Sequence, residues 1–175
     1  MKLEEINKAL YEKGVEHNMC SDVRDSWVNT LDKQELIDLW YANYDFALIN
    51  HYPSNSDIKK FFDKKILREN NVLVDDKWSL LNPQKAMILG DSESNIRFNA
   101  FHVGQVWVRD NSMANIYVRD NADVTVCVID HAEVNIVNYN STARVLVIKY
   151  SPKVSVHGTG GGIKVRENYA YLIKD

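Results

Sequence analysis

The amino-acid sequence predicts an α+β protein, in which an N-terminal helical region is packed on a C-terminal β-solenoid with about 20 residues in each rung. The first supporting observation is a ten-residue period in the second half of the chain, where small or turn-forming residues recur. These residues are Gly90, Ala100, Asp110, Asp120, Asp130 and Asn140. The second is a change of spacing: apolar residues alternate with polar ones between these positions, whereas the N-terminal part has apolar residues at helical intervals.

Helical spacing is found over the first part of the chain, and the helical region is predicted to cover residues 1–80. Leu3, Ile6 and Leu10 form the apolar stripe of a first helix. A short second helix is expected over about residues 21–29.

The clearest helix is predicted over about residues 33–50. Asp32 followed by Glu35 is a capping-box pattern at its start, and the helix must end before Pro53. Apolar residues surround much of this helix, which predicts a central position in the helical region.

A further helix, over about residues 57–68, carries a local excess of positive charge. Its basic residues are Lys59, Lys60, Lys64, Lys65 and Arg68. Together with Phe61 and Phe62 they would contact phosphate or an acidic partner. The alternative, which nearby acidic residues favour, is a solvated helix face opposite two buried phenylalanines.

The β-solenoid is predicted over residues 81–175. Each ten-residue period contains about six residues of strand and about four of turn, and the clearest copy is Val124–Val128 followed by Asp130 and Ala132. Asp and Asn tolerate the left-handed backbone that a tight corner needs, and the small residue that follows would lie beneath the corner. Two periods form one rung, and the rungs stack in parallel about 4.8 Å apart.

An antiparallel meander, with one strand for each period, is the alternative architecture. Its hairpins would usually contain Asn-Gly or Asp-Gly, and neither dipeptide occurs in the sequence. The solenoid is therefore favoured. The period weakens at Gly158–Gly162, which indicates a bulge or a final half-rung.

Alternation also predicts which side chains face outward. If Val106 and Val126 point into the core, their odd-numbered neighbours point out, and Cys127 stacks between Trp107 and Val147. Such an apolar outer face should be covered by the helical region, by another subunit or by a partner. The candidate partner-binding residues are Trp107, Cys127, Ile129 and Val147 on this face, Tyr117 on the other, and Lys59, Lys60 and Lys64 in the helical region.

Several segments carry a resemblance to known sequences: Glu35–Leu39, Tyr44–Ala47 and His51–Lys60, and the repeats from Val106 to Lys149, with Val118–Ala122 as the best match. They resemble an uncharacterised family encoded in Bacteroidota genomes and their prophages. It implies a phage or mobile-element context. It supplies no catalytic residues.

No catalytic or nucleotide-binding motif occurs in the sequence, so no cofactor, metal or enzymatic activity is predicted. The five histidines are scattered, and the predicted rungs put Cys127 and His157 on opposite faces. Asp110 and Asp130 would stack at one corner. A calcium site there is the alternative to solvated corners, but the glycine-rich calcium-binding repeat is missing.

The bulk composition predicts a folded protein of the cytoplasm, or of the host cytoplasm if the chain is phage-encoded. The chain has 175 residues, 45% of them hydrophobic, and a net charge of −3, which gives little support for nucleic-acid binding. No apolar segment reaches the length of a membrane span. Cys20 and Cys127 are expected to be free thiols.

The predicted function is therefore non-enzymatic. The first hypothesis is a phage or mobile-element protein that binds another macromolecule, such as an inhibitor of a host defence complex. The second is a structural or assembly protein, associated with a virion, that self-associates through its solenoid. An enzyme is the third.

Overall fold

A computed structural model describes residues 2–27 and 31–169, which fall into two units divided between Ile66 and Leu67. The first unit is helical, and the second is built from β-strands. This confirms the predicted α+β class. The helices are α1 (Leu3–Glu16), α2 (Ser21–Ser26), α3 (Lys33–Ala42), α4 (Tyr44–Asn50), α5 (Asn55–Phe61) and α6 (Lys64–Glu69).

Local sequence signals set the ends of the helices. The predicted capping box is present at the start of α3, with Asp32 as the N-cap residue. The Asp32 carboxylate accepts a hydrogen bond from the Glu35 backbone N–H at 2.8 Å, and the Glu35 carboxylate accepts one from the Asp32 backbone N–H at 2.8 Å. The single helix expected over residues 33–50 is wrong, because Asn43 leaves the helical conformation (φ −117°, ψ 38°) and separates α3 from α4. The helix expected over residues 57–68 is likewise divided, into α5 and α6. The predicted second helix is α2, and the end of that prediction, at residues 28–29, lies outside the described residues.

A buried carboxylate links α1 to α5 within the helical unit. Asp57 accepts hydrogen bonds from the Lys13 ammonium group and from the Ser54 hydroxyl, the latter at 2.6 Å. Burial by itself raises the pKa of Asp57, but these hydrogen bonds outweigh it and hold the pKa below its usual value of 3.8. The carboxylate therefore stabilises the folded helical unit in its ionised form.

The second unit is a β-solenoid, as predicted, and every strand pair in it is parallel. Successive strands alternate between two sheets. Sheet A has the order β1-β3-β5-β7-β9-β11, and sheet B has the order β10-β8-β6-β4-β2. The strands are β1 (Val72–Val74), β2 (Lys77–Leu81), β3 (Lys85–Leu89), β4 (Glu93–Phe98), β5 (Val103–Val108), β6 (Met113–Val118), β7 (Asp123–Val128), β8 (Glu133–Asn138), β9 (Arg144–Lys149), β10 (Ser155–Thr159) and β11 (Ile163–Glu167).

The register of the rungs is regular in the middle and irregular at both ends. Strands β5 and β7 pair residues 20 apart, such as Val103 with Asp123. The first rung, β1 and β2, starts before the expected residue 81 and is shorter, since Val72 pairs with Met87. Its strands lack the ten-residue period, which is why the sequence pattern starts later than the solenoid.

The uniform 20-residue register expected from the sequence is wrong from β9 onward. Asp123 pairs with Arg144, 21 residues on, because the corner between β8 and β9 holds one residue more than the earlier corners. Val147 therefore stacks on Val126 in the core, and Ile148 takes the outward place above Cys127 that was expected for Val147.

The corners explain the ten-residue period. Asp110, Asp120 and Asp130 all adopt the left-handed conformation, with φ between 56° and 63°. Their carboxylates accept backbone hydrogen bonds from the preceding rung: the Asp110 carboxylate accepts from the Gly90 N–H at 2.7 Å, and the Asp120 carboxylate from the Ala100 N–H at 2.8 Å. Each aspartate thus provides both the corner conformation and the partner for a backbone N–H that the sheets leave unpaired.

The solenoid core is a stack of inward side chains from both sheets. It consists mainly of Val, Ile and Ala, among which Phe98 is the largest. Gly104 makes room for Phe98, because a Cβ atom at residue 104 would lie 2.3 Å from the Phe98 Cε1 atom. In the next rung Val124 occupies the equivalent position. The volume that a side chain at residue 104 would occupy is therefore filled by the Phe98 ring, which keeps the core densely packed.

Candidate interaction surface

The outer face of sheet A carries most of the apolar residues singled out from the sequence. Trp107 and Cys127 are register partners on β5 and β7, and Ile129 directly follows β7. All three side chains are buried, and Trp107 has no exposed surface. The parity prediction holds for Trp107 and Cys127, whereas Val147 belongs to the core.

The outer face of sheet B is polar and more exposed. Asn95, Asn115 and Asn135 occupy equivalent positions in three successive rungs. The Asn115 side-chain NH₂ group donates to the Asn95 Oδ1 atom at 3.3 Å, and the Asn135 side-chain NH₂ group donates to the Asn115 Oδ1 atom at 3.2 Å. This asparagine ladder fixes the side chains in one orientation along the stack. His157 follows above Asn135, and not above Val137 as the uniform 20-residue register would place it.

A cleft of about 710 Å³ opens beside the asparagine ladder, at the end of the sheet B strands. We call it the Tyr–Arg cleft. Its principal lining residues are Leu81, Asn95, Arg97, Tyr117, Arg119 and Tyr139. Leu81 is 68% exposed and Tyr139 is 57% exposed, so the cleft presents aromatic and aliphatic surface to solvent.

Two arginine–tyrosine pairs lie side by side in the Tyr–Arg cleft. Arg97 on β4 is the register partner of Tyr117 on β6. One corner further on, the guanidinium carbon of Arg119 lies 4.7 Å from the centroid of the Tyr139 ring. Such stacking holds a guanidinium group in place but leaves its N–H edge open to a ligand.

The charge in the Tyr–Arg cleft is of one sign. Nine of the described residues line the cleft, and none of these nine is acidic. Some other cations of the solenoid have carboxylate partners: the Lys77 Nζ atom lies 2.6 Å from a Glu93 carboxylate oxygen, and an Arg144 guanidinium nitrogen lies 2.6 Å from an Asp123 carboxylate oxygen. Within residues 2–27 and 31–169, Arg97 and Arg119 have no such ion pair. The cleft is therefore a local positive site on a chain whose net charge is −3.

The basic residues proposed from the sequence in the helical unit lie on a solvated surface. Lys59 and Lys60 are exposed at the C-terminal end of α5, and Lys64 is exposed at the start of α6. Phe61 and Phe62 are both buried beside them. Cations in the last turn of a helix interact favourably with its dipole, which gives Lys59 and Lys60 a structural role.

Cys127 and His157, the two residues tested as a nucleophile–base pair, lie on different sheets of the solenoid. Cys20 and Cys127 are free thiols, the first exposed and the second buried. Cys127 lies in sheet A, whereas His157 lies in sheet B, where its Nε2 atom is 2.9 Å from the Ser155 hydroxyl. Cys127 and His157 are therefore not brought together.

A small apolar cavity lies among the described residues of the helical unit. Its volume is about 30 Å³, and Leu10, Trp40 and Phe62 are among the residues that line it. This volume is about the share of one water molecule in the liquid, which is far below that of the usual ligand pocket.

Arg97, Arg119 and Tyr139 are among the cleft residues that were not selected from the sequence. Outward parity was available for Arg119 and Tyr139, and the Arg–Tyr alternation at equivalent repeat positions is the signal that would have found the cleft. Of the partner-binding residues expected from the sequence, only Tyr117 is among the described residues that line the cleft.

Comparisons with protein-family models, with curated proteins and with solved structures gave no match to this chain. In the described part of the chain, no helix combines the length and the apolar character that crossing a membrane requires.

Proposed function

We propose that this protein is a non-enzymatic binding protein whose Tyr–Arg cleft docks on another macromolecule. The observation that carries the proposal is that two arginines and two tyrosines line one open cleft of the solenoid, where Arg119 stacks on Tyr139. Tyrosine and arginine are enriched among the residues that contribute most binding energy at protein interfaces. A parallel solenoid holds them on a hydrogen-bonded backbone, so that little ordering is needed on binding.

The proposal includes a phage or mobile-element origin, with a host protein such as a subunit of a defence complex as the partner. The resemblance of the α3–α5 segments and of the repeats to prophage-encoded proteins supports this part. The non-enzymatic part is supported by the separation of Cys127 and His157 on different sheets.

The proposal is tested by affinity purification from a bacterial host with three forms of the protein. The cleft variant combines Arg97→Ala, Tyr117→Ala and Tyr139→Ala, and the matched control combines Lys164→Ala and Arg166→Ala on β11. We expect a partner to be enriched by the wild type and by the control, and to be reduced at least tenfold with the cleft variant. Equal recovery by all three forms would show that the cleft is not the binding surface.

A second candidate is a structural protein that self-associates through the end of the solenoid. The observation in its favour is Val165, which occupies an inward register position on the last strand but is 51% exposed. Multi-angle light scattering separates the two functions. A binder keeps the 20.2 kDa mass of one chain or a small multiple of it, whereas a self-assembling protein shows a mass that rises steadily with concentration.

A further inference from the structure

We propose that the Tyr–Arg cleft binds an acidic segment of a partner protein, whose carboxylates pair with Arg97 and Arg119. This inference rests on the proposed binding function and specifies the chemistry of the partner. The first argument is charge: both guanidinium groups lie in a cleft that has no carboxylate among its described lining residues, on a chain of net negative charge. A partner with carboxylates at this position would provide the complementary charge.

The second argument is geometry. Arg119 stacks on Tyr139, and a stacked guanidinium group still offers two parallel N–H donors at its edge, which match the two oxygens of a carboxylate. Arg97 and Arg119 are one rung apart across the sheet and two residues apart along the strand direction. With standard β spacings their Cα atoms are therefore about 8 Å apart.

An extended peptide matches this separation. Its residues i and i+2 point to the same side and lie about 7 Å apart. The cleft is therefore suited to an extended segment with acidic residues two positions apart. The amides of the asparagine ladder, at Asn95 and Asn115, lie next to the cleft and offer hydrogen bonds to the backbone of such a segment.

The same face argues against single-stranded nucleic acid. A nucleic-acid strand needs a basic groove that follows its backbone over several phosphates. Sheet B instead carries Glu93 and Glu133 on its outer face, and Glu133 is held there by a hydrogen bond from the Asn135 amide at 3.1 Å. These carboxylates stand at the start of the strands, so a polyanion that covered the whole face would meet them, whereas a short acidic segment stays at the cleft end of the strands.

The test is ribosome display of a random 12-residue peptide library on the immobilised full-length protein. Three forms are compared: the wild type, the double variant Arg97→Glu/Arg119→Glu, and the control Lys164→Glu/Arg166→Glu, which changes the net charge equally. We expect the wild type and the control to enrich peptides with two Asp or Glu residues at i and i+2. The Arg97→Glu/Arg119→Glu variant should lose these peptides and select basic ones.

A peptide recovered in this way is then measured by fluorescence anisotropy. Its Kd should rise at least tenfold with Arg97→Gln/Arg119→Gln, and the circular dichroism melting curve should not change, because both arginines are exposed. The inference is overturned if the peptides that depend on the cleft show no acidic excess, or if the arginine-reversed variant retains the acidic ones.

A labelled 20-nucleotide oligothymidylate serves as the second probe. If it binds the wild type and this binding is lost with Arg97→Gln/Arg119→Gln, the ligand of the cleft is nucleic acid and not an acidic segment. That result would overturn the inference while leaving the cleft as a binding site. If neither the peptide library nor the oligothymidylate binds the wild type, the proposed function fails together with the inference.

Discussion

Asp120 provides the sharpest stability test of the solenoid corners. Its carboxylate accepts a hydrogen bond from the Ala100 N–H at 2.8 Å, and its own backbone has φ 56°. Alanine at this position loses that hydrogen bond, which costs about 1 kcal/mol, and meets the steric penalty of the left-handed conformation, which costs about another 1 kcal/mol. We therefore expect Asp120→Ala to lower the free energy of unfolding by about 2 kcal/mol.

Two further variants separate these contributions. Asp120→Gly keeps the backbone conformation but lacks the acceptor, so a loss of about 1 kcal/mol is expected. Asp120→Asn keeps both and should change stability by less than about 0.5 kcal/mol, as should the neighbouring control Asn121→Ala. Urea unfolding followed by circular dichroism measures all four, with the m-value as a check on cooperativity. If Asp120→Asn were as destabilising as Asp120→Ala, or Asp120→Ala were neutral, the account of the corner would be wrong.

Three other predictions concern buried positions. Gly104→Ala should destabilise the protein by about 1–3 kcal/mol through its clash with Phe98. The change Phe98→Leu should therefore destabilise the Gly104→Ala variant less than it destabilises the wild type, and additive losses in urea unfolding would contradict the clash. Asp57→Asn should be most destabilising above about pH 4, where the wild-type carboxylate is ionised and paired with Lys13. The difference in stability between wild type and variant should shrink as the pH falls through the lowered pKa of Asp57, and a pH-independent difference between their thermal unfolding curves would refute this. Trp107→Asp places a carboxylate where the native side chain has no exposed surface, so a loss of more than about 4 kcal/mol is expected, while unchanged unfolding would show that this face is open to solvent.

The architecture of the solenoid was predictable because its corners repeat a physical requirement. Asp110, Asp120 and Asp130 each combine a left-handed backbone with an acceptor for the preceding rung, and few residue types do both. The first rung was missed because its spacing is irregular, although Asp75 and Asn82 at its corners also have a left-handed backbone. Val72–Val74 is buried at every position, so its apolar residues do not alternate, and its register partners lie 15 residues further on instead of 20.

The candidate site was harder to predict, because parity gives the direction of a side chain but not what surrounds it. Trp107 and Tyr117 both point outward, yet only Tyr117 lines an open cleft. The cleft also joins residues from different rungs, such as Leu81 and Tyr139, that no short motif connects. Val147 shows the other limit: a single additional residue in one corner reversed its predicted direction.

The solenoid has two periods at once, and this affects how its length can change in evolution or by design. The inward pattern repeats every ten residues, whereas the outer faces repeat every twenty, since Trp107 and Cys127 share one sheet and Tyr117 lies on the other. A duplication of ten residues would preserve the core but exchange the two surfaces of every later strand. Copy number should therefore change in units of two periods, and homologues of different length are expected to differ by whole rungs.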